Sequence, residues 1–173
     1  NIKTTKDAIN AAKDGIIHGL INPFNGTLIS RCLVEKIGNI KREMFIWGDE
    51  TEYVFRAVAA GAKVCTLVDA LFFHPTGRTK QIRLFGTKFC IEEPPAGLRR
   101  YCRFRNYAYI YKTYKFQKLI YEFIKYTVLY LLIKKFSWRE YLEYLYATID
   151  GIREKWGREK QYIKVSGPPS VSE

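Results

Sequence analysis

The apolar and polar positions divide the chain into a first part of short, mixed elements and a second part of long helices. In the first part, apolar side chains recur at helical spacing in three short segments, and a glycine follows each one, as is typical of a helix end. We therefore predict helices from Thr4 or Thr5 to residue 12, over residues 31–37 and over residues 49–60.

Short apolar or β-branched runs separate these helices and predict extended segments. Residues 26–29 suit a short strand or an extended entry, and residues 44–47 suit a buried strand. Residues 63–68 and 70–74 are rich in strand formers and are divided by Asp69, which indicates two short strands or one bent strand. Residues 76–97 mix glycine, proline and charges, so we predict a loop able to close over a ligand.

The second part begins after Pro94 and Pro95 and has the pattern of three helices. Residues 99–114 and 116–136 predict two aromatic-rich helices. Ser137 is a suitable N-cap for a third helix reaching to about residue 156, with Glu140 as its capping-box partner. These patterns divide the chain into residues 1–97, a helical extension over residues 98–160, and a tail over residues 161–173 that we predict to be disordered.

Composition limits the class of protein. The 173 residues are 47% apolar and 16% aromatic, which argues against disorder and allows one domain with a core. The four cysteines form no C-x-x-C pair, so they suggest neither a zinc site nor a disulfide framework, and a reduced, cytoplasmic environment fits them.

The net charge of +12 is concentrated in one segment. Residues 97–136 hold ten basic side chains and one acidic one, a balance that attracts a polyanionic surface. Within them, the uncharged run 126–133 is far shorter than the roughly 20 residues that span a bilayer. Three interpretations stay open: a packed hairpin with a solvated basic rim, docking on an anionic membrane surface, and, less favoured, binding of nucleic acid.

The residues with the clearest chemistry form an acidic turn, Phe45-Ile46-Trp47-Gly48-Asp49-Glu50-Thr51-Glu52-Tyr53. Such carboxylates can act as a general base or hold a metal ion. Asp49 and Glu52 also have the spacing of a capping box, whereas no cap requires Glu50. His74 follows an apolar strand-like run and precedes Pro75; taken alone, it is more simply a hydrogen-bonded structural residue.

Several spaced motifs together resemble a known family. The stretches Pro23-Phe24-Asn25-Gly26-Thr27-Leu28-Ile29-Ser30-Arg31 and Val34-Glu35-Lys36-Ile37-Gly38, followed by the acidic turn, are similar to glycosyltransferases of family 2, especially their rhamnosyltransferase-like and galactofuranosyltransferase-like members. The resemblance covers residues of roughly 20 to 112. It implies an α/β fold, in which residues 1–97 are the acceptor-side part of a GT-A catalytic domain with a Rossmann-like mixed sheet, followed by the α-helical extension.

The resemblance also exposes a missing signature. Family members hold a divalent metal with an Asp-x-Asp motif in a preceding nucleotide-binding half, and this chain, which begins at Asn1, contains no Asp-x-Asp. We therefore expect a C-terminal fragment that lacks most of the donor site and is inactive by itself.

The activity implied by the resemblance is inverting transfer of a sugar from a nucleotide-sugar donor to a glycan or lipid-linked glycan acceptor. The family turn is usually Asp-Asp with the second acid as base, which places Glu50 in that role and Asp49 beside it. In similar enzymes a histidine at the place of His74 completes the coordination of Mn²⁺ or Mg²⁺, whose other ligands would lie in the missing half.

Further residues are candidates for substrate binding. Asn25 and Gly26 match the family segment that lines the sugar pocket, and Arg78 stands where a cation could meet the diphosphate, although a solvated loop charge explains it equally well. Trp47 could stack on a sugar or simply end a strand. Arg105-Asn106 resembles an Arg-Asn pair of similar enzymes, but the sequence assigns it no role.

The basic helical extension also predicts where in the cell the enzyme acts. Through residues 98–136 the enzyme would lie against the inner face of the cell membrane, where a lipid-linked acceptor is presented. Two alternatives from other classes are a nucleic-acid-binding module, in which the aromatics of residues 99–118 stack on bases, and a membrane-peripheral adaptor without catalysis.

Overall fold

The computed structural model describes residues 5–21, 23–24, 26–73, 80–83 and 90–163. These residues fall into two compact units. The first unit lies within Asn1–Lys41 and Asp49–Gly77, and the second within Arg42–Gly48 and Arg78–Glu173. The second unit thus includes a short segment, Arg42–Gly48, that the sequence places among the elements of the first.

The first unit contains three helices and one small sheet. The helices are α1 (Thr5–Ala11), α2 (Arg31–Ile37) and α3 (Asp49–Ala59), and strands β1 (Ile16–His18) and β2 (Cys65–Leu67) pair antiparallel, with Ile17 opposite Thr66. The helices predicted over residues 31–37 and 49–60 are thereby confirmed. The Ser30 hydroxyl accepts a hydrogen bond from Leu33 N at 3.3 Å, and Gly38 N donates to Val34 O, so α2 is capped at both ends.

One arginine joins α2 to α3. Arg56 donates to Ile37 O at 2.6 Å, to Asn39 O at 3.0 Å and to the Glu52 carboxylate at 3.0 Å. Glu52 is 1% exposed, so the carboxylate of this ion pair is buried. Because the same guanidinium holds a carboxylate of α3 and two carbonyls after α2, the end of α2 is fixed against α3.

The second unit is a helical assembly with a hairpin of strands. Its helices are α4 (Leu98–Tyr114), α5 (Phe116–Val128), which continues as a π-helical turn Leu129–Ile133, and α6 (Trp138–Ile152). Helix α4 packs closely on α6, since a Cβ built on Gly151 would lie 2.0 Å from Arg105 O. The core is aromatic: the Phe104 ring meets the rings of Tyr126 and Tyr144 edge-on, both at 4.7 Å.

Strands β3 (Lys80–Arg83) and β4 (Cys90–Glu93) pair antiparallel, with Ile82 opposite Ile91. The prediction of a loop over residues 76–97 is therefore wrong for these eight residues. Buried Ile91 joins the aromatic core, and the Tyr126 hydroxyl donates to Glu92 O at 2.9 Å. Contacts with a helical core thus stabilise two strands that the mixed local sequence does not predict.

The prediction of a buried strand over residues 44–47 is also wrong. Arg42–Met44 forms a 3₁₀ turn, and Phe45 and Trp47 both have a φ of 65°. Residues in that left-handed region cannot continue a strand. The carbonyls of this segment bond to side chains of α4 instead of to a neighbouring strand.

Several smaller predictions are met in part. Residues 26–29 form no strand, which leaves the alternative of an extended entry, and Cys65–Leu67 forms β2 whereas residues 70–73 form no strand. Ser137 does stand at the N-cap of α6, but its hydroxyl donates to the Glu140 carboxylate at 3.0 Å and makes no cap bond to the backbone. The tail predicted to be disordered over residues 161–173 begins inside a 3₁₀ turn, Arg158–Tyr162, and residues 164–173 lie outside the described residues.

Candidate functional site

The acidic turn begins α3. Asp49 and Glu50 occupy its first turn, where the helix dipole favours negative charge, and both are half-buried. Glu52 is buried and bonded to Arg56. Of the three carboxylates, Glu52 therefore has a structural role, and Asp49 and Glu50 are the two left as candidates for chemistry.

The segment that leads into this turn is held by Asn106 of α4. Asn106 is 0% exposed, and its amide nitrogen lies 2.8 Å from Met44 O, 2.9 Å from Ile46 O and 2.6 Å from Trp47 O. The two amide hydrogens of Asn106 are thus shared among three carbonyls that no sheet or helix pairs. This side chain is one of the groups that hold the turned backbone between Met44 and Gly48.

Arg105 holds the same segment from one residue earlier on α4. It is 0% exposed and donates to Glu43 O at 3.0 Å, to Met44 O at 3.1 Å and to the Asn106 side-chain oxygen at 2.9 Å. Its guanidinium also lies 4.9 Å from the centre of the Trp156 ring. The bond to Asn106 fixes which amide atom faces the carbonyls of residues 44–47.

The buried charge of Arg105 is balanced by Glu159. The two side chains form a buried hydrogen-bonded ion pair. Burial acts to raise the pKa of Glu159, but backbone N–H donors at residues 157 and 159 and the Arg105 guanidinium together hold that pKa below its ordinary value. Arg105 therefore stays inside the unit as a charged group with a matched counter-ion.

Gly48 completes the entrance to α3. Its φ is +92°, and an added Cβ would meet Ile110 Cδ1 at 3.3 Å and Asn106 Cβ at 3.4 Å. Both the backbone conformation and the close approach to α4 therefore favour glycine here. Sequence reasoning found the acidic turn and named Arg105 and Asn106, but it missed their role in holding the entrance to that turn. The available signal was that Arg105 and Asn106 are flanked at helical spacing by apolar residues such as Cys102 and Ile110, which indicates burial.

The structure describes only some of the residues predicted to bind substrate. Trp47 is half-buried, and the Arg103 guanidinium lies 5.4 Å from the centre of its ring, so this ring already has a cationic neighbour. Gly26 has a φ of +69°, and an added Cβ would lie 3.4 Å from the Phe72 ring. Asn25, His74 and Arg78 lie outside the described residues.

A cavity of about 530 Å³ lies within the first unit. Mostly apolar side chains line it, among them Phe24, Leu33, Tyr53 and Val54, from α2, α3 and the segment before α2. Its size suits a small ligand. Asp49 and Glu50 are not among its lining residues, and Gly26 lines a neighbouring cavity of about 270 Å³ with Leu28 and Thr66.

The predicted metal ligand, His74, lies outside the described residues, so the structure does not test the metal prediction. Within the ranges that the structure describes, no group of three or more His, Cys, Asp or Glu side chains is placed to hold an ion. The described residues alone therefore do not make a metal site.

Four of the six aromatic residues of α4 are buried and cannot stack on bases, whereas Tyr107 and Tyr114 are half-buried. Tyr101, Phe104, Tyr109 and Tyr111 are all less than 8% exposed, so their faces are packed inside the unit. A stacking surface for single-stranded nucleic acid needs exposed rings. In the part of the chain with described coordinates, no helix combines the length and apolar character needed to cross a membrane.

Comparison with known proteins gives two distant matches. The chain is 25% identical over 111 residues to the galactofuranosyltransferase GlfT1 of Mycolicibacterium smegmatis, covering 64% of this chain and 37% of that protein. It is 27% identical over 135 residues to the dTDP-rhamnosyl transferase RfbF of Shigella flexneri, covering 75% of this chain and 44% of that protein. The chain thus spans less than half the length of these curated relatives.

No protein-family model matches the chain, and no solved structure matches it. The two matches agree with each other in class, since both proteins are named as enzymes that transfer a sugar. The chain is therefore a distant relative of glycosyltransferases.

Proposed function

We propose that this chain is the acceptor-side portion of an inverting glycosyltransferase of family 2, with a partial GT-A fold in its first unit. The observation that carries the proposal is the acidic turn at the start of α3, whose entrance Asn106 and Arg105 hold in place. The first turn of a helix is a rigid element on which a catalytic carboxylate can be held. Both distant relatives act on sugars, which supports the same class of reaction.

In the proposed reaction, Glu50 accepts the proton of an acceptor hydroxyl while that oxygen bonds to the anomeric carbon of the donor sugar. The bond from that carbon to the diphosphate oxygen breaks on the opposite face, and its electron pair leaves with the nucleoside diphosphate. Configuration at the carbon is thereby inverted. A bound Mn²⁺ or Mg²⁺, with His74 as one ligand, would neutralise charge on the leaving diphosphate.

Asp49 and Trp47 have supporting roles in this proposal. Asp49, adjacent to Glu50 in the first turn of α3, is the alternative base. Trp47, with its ring beneath Arg103, would border the acceptor. Asn25, Gly26 and Arg78 stay proposed contacts for the sugar and the diphosphate. The acceptor is a glycan or lipid-linked glycan, and the enzyme acts at the inner face of the cell membrane.

The test replaces Glu50 with Gln in the full-length enzyme. Because Gln keeps the size of the side chain but cannot accept the proton, we expect kcat to fall by about 100-fold to 10,000-fold with little change in the donor KM. Transfer is measured with a nucleotide-sugar donor and a soluble acceptor.

Glu35→Gln is the matched control. Glu35 lies exposed on α2 and pairs only at the surface with Arg31, at 2.7 Å, so activity should stay at the wild-type level. Wild-type kcat in Glu50→Gln would reject Glu50 as the base, and loss of transfer in Asp49→Asn alone would move the role to Asp49.

A further inference from the structure

The exposed residues of the α5–α6 hairpin share an unusual composition. Between residues 115 and 152 every exposed side chain is apolar, aromatic or basic, apart from the amide of Gln117, and none is acidic. Two stripes dominate this surface, which we call the hairpin face: Phe116, Ile120 and Ile124 on α5, and Trp138, Leu142 and Tyr146 on α6.

The acidic residues of the same stretch are drawn inward by cations. They are half-buried or buried, and each has a basic partner: Glu122, Glu140, Glu143 and Asp150. Glu140, for example, accepts from Arg100 at 2.9 Å and also from Lys134. The exposed surface consequently carries the cations Lys118, Lys135 and Arg139, of which Arg139 lies 3.8 Å from the half-buried Glu143 carboxylate.

Helical spacing places both stripes on sides that α4 leaves uncovered. The members of each stripe are four residues apart, so they lie in one row along their helix. The buried side of α5 is made by Tyr126 and the adjoining Leu129 and Tyr130, and that of α6 by Ala147 and Gly151. The six stripe residues are between 45% and 62% exposed, so both stripes face away from the core.

The turn of the hairpin presents one more aromatic ring, Phe136, beside Trp138. Lys135 and Phe136 have φ values of 48° and 60°, a costly conformation for residues other than glycine. This turn leaves Phe136 and Trp138 more than half exposed, with ring centres 5.9 Å apart. Aromatic rings beside lysines are typical of the level of lipid headgroups.

We propose that the hairpin face docks on an anionic bilayer, with α5 and α6 lying in the plane of the interface. Apolar stripes enter the boundary of the acyl chains, and Lys118, Lys135 and Arg139 meet anionic headgroups. A second copy of the chain is a poorer occupant, because pairing two such faces would bring like charges together. Nucleic acid would leave six large apolar side chains without a matching surface.

The inference rests on the proposed function for its purpose, since docking would bring a lipid-linked acceptor within reach, but its test requires no sugar donor. The 173-residue chain is mixed with phosphatidylcholine vesicles, with and without about 25% phosphatidylglycerol, and the bound fraction is measured by flotation. If Trp138 enters the bilayer, brominated lipids quench its fluorescence. The Trp138→Phe variant shows how much of the quenched tryptophan fluorescence comes from Trp138.

A matched pair of variants separates the hairpin face from general apolar exposure. Ile124 on α5 is 57% exposed and Ile9 on α1 is 58% exposed. Because one buried isoleucine contributes about 1.5–3 kcal/mol, Ile124→Glu should lower the partition coefficient at least tenfold, whereas Ile9→Glu should leave it unchanged. Circular dichroism checks that both variants keep their helices.

Each result decides the proposal. Binding to anionic vesicles that Ile124→Glu abolishes supports it. It is overturned by absence of binding to anionic vesicles, by equal effects of the two variants, or by self-association without lipid that Ile124→Glu removes. Salt-sensitive binding to single-stranded DNA without binding to vesicles would equally overturn it. Transfer to a soluble acceptor should persist in Ile124→Glu, so failure of docking and failure of the proposed activity are distinguishable.

Discussion

At the scale of single residues, the main finding is a pair of buried polar side chains that shape a loop. Asn106 and Arg105 make five hydrogen-bond contacts with the carbonyl oxygens of residues 43–47, with nitrogen–oxygen distances from 2.6 to 3.1 Å. A buried carbonyl without a donor is costly, so the loop and the two side chains need each other. The entrance to the acidic turn is thus fixed by chemistry that lies some 60 residues further along the chain.

Replacing Asn106 with Ala tests this dependence. We expect the free energy of unfolding to fall by about 2–4 kcal/mol, because Ile46 O and Trp47 O lose the Asn106 donor, while Met44 O keeps Arg105 and Ile46 N as donors. Urea denaturation followed by circular dichroism measures the change. In the full-length enzyme, kcat should fall more than KM, because the variant disturbs the support of Glu50 and leaves the donor site intact.

Two variants sharpen that comparison. Gln117→Ala removes an exposed amide from α5 in the same unit and should change stability by less than about 0.5 kcal/mol. Asn106→Asp keeps the size but replaces the donor with an acceptor, so it should be at least as harmful as Ala. An Asp variant as stable as the wild type would show that the three bonds do not hold the loop.

At the scale of elements, an ion cluster joins the β3–β4 hairpin to the helices. Arg100 of α4 donates to Glu140 of α6 at 2.9 Å and to Glu93 of β4 at 3.4 Å, and Lys134 bonds to both carboxylates. Glu93 and Arg100 are buried, so this cluster connects a strand, a helix and a helix N-terminus inside the unit. Partners of this kind keep a short sheet in place.

The cluster predicts how stability depends on pH. Burial acts to raise the pKa of Glu140, but hydrogen bonds from Lys134 and Ser137 lower it below its ordinary value. A carboxylate with a lowered pKa stabilises the fold fully above the pKa of the unfolded chain, about 4.3, and loses that contribution as pH falls through the folded pKa. We therefore expect the melting temperature of the second unit to fall below about pH 4.3.

Lys134 sets the other limit. Burial acts to lower its pKa, but hydrogen bonds to Glu140 and Glu93 raise it, so its contribution to stability is complete below about pH 10.4 and is lost at higher pH.

Glu140→Gln should make the fall of the melting temperature at low pH, the acid limb, shallower. Glu154→Gln, which removes an exposed partner of Lys112, should leave it as in the wild type. An unchanged acid limb in Glu140→Gln would contradict the assignment.

The elements also show how far sequence could predict the structure. Helices α2 and α3 follow from apolar spacing and glycine ends, and α4 follows from its spacing after Pro94 and Pro95, because these signals are local. The strand predicted over residues 44–47 fails because side chains of α4 bond its carbonyls, and β3 and β4 escape prediction because contacts with helices stabilise them. For the site, the carboxylates of Asp49 and Glu50 could be named from the sequence, whereas the support from Arg105 and Asn106 depends on contacts across the chain.

At the scale of the whole molecule, the reactivity of the four cysteines can be used to probe each of the two units separately. All are free thiols; Cys32 and Cys65 are exposed in the first unit, Cys90 is exposed on β4, and Cys102 is fully buried on α4. Burial raises the pKa of the Cys102 thiol to about 11, although the nearby Arg105 acts to lower it. A buried thiol with a raised pKa is unreactive, since the thiolate is the nucleophile.

We predict that a thiol reagent at about pH 8 modifies Cys32, Cys65 and Cys90 quickly in the native chain and Cys102 only when the second unit opens. The release of thionitrobenzoate should therefore show a fast phase of three equivalents and a slow phase of one. Cys102→Ala should lose the slow phase alone. Because Asn106 and Cys102 are buried in the same helix, Asn106→Ala should accelerate the slow phase and leave the fast phase unchanged. Four equivalents in one fast phase would mean that α4 does not pack in solution as described, and the support of the acidic turn would then be lost with it.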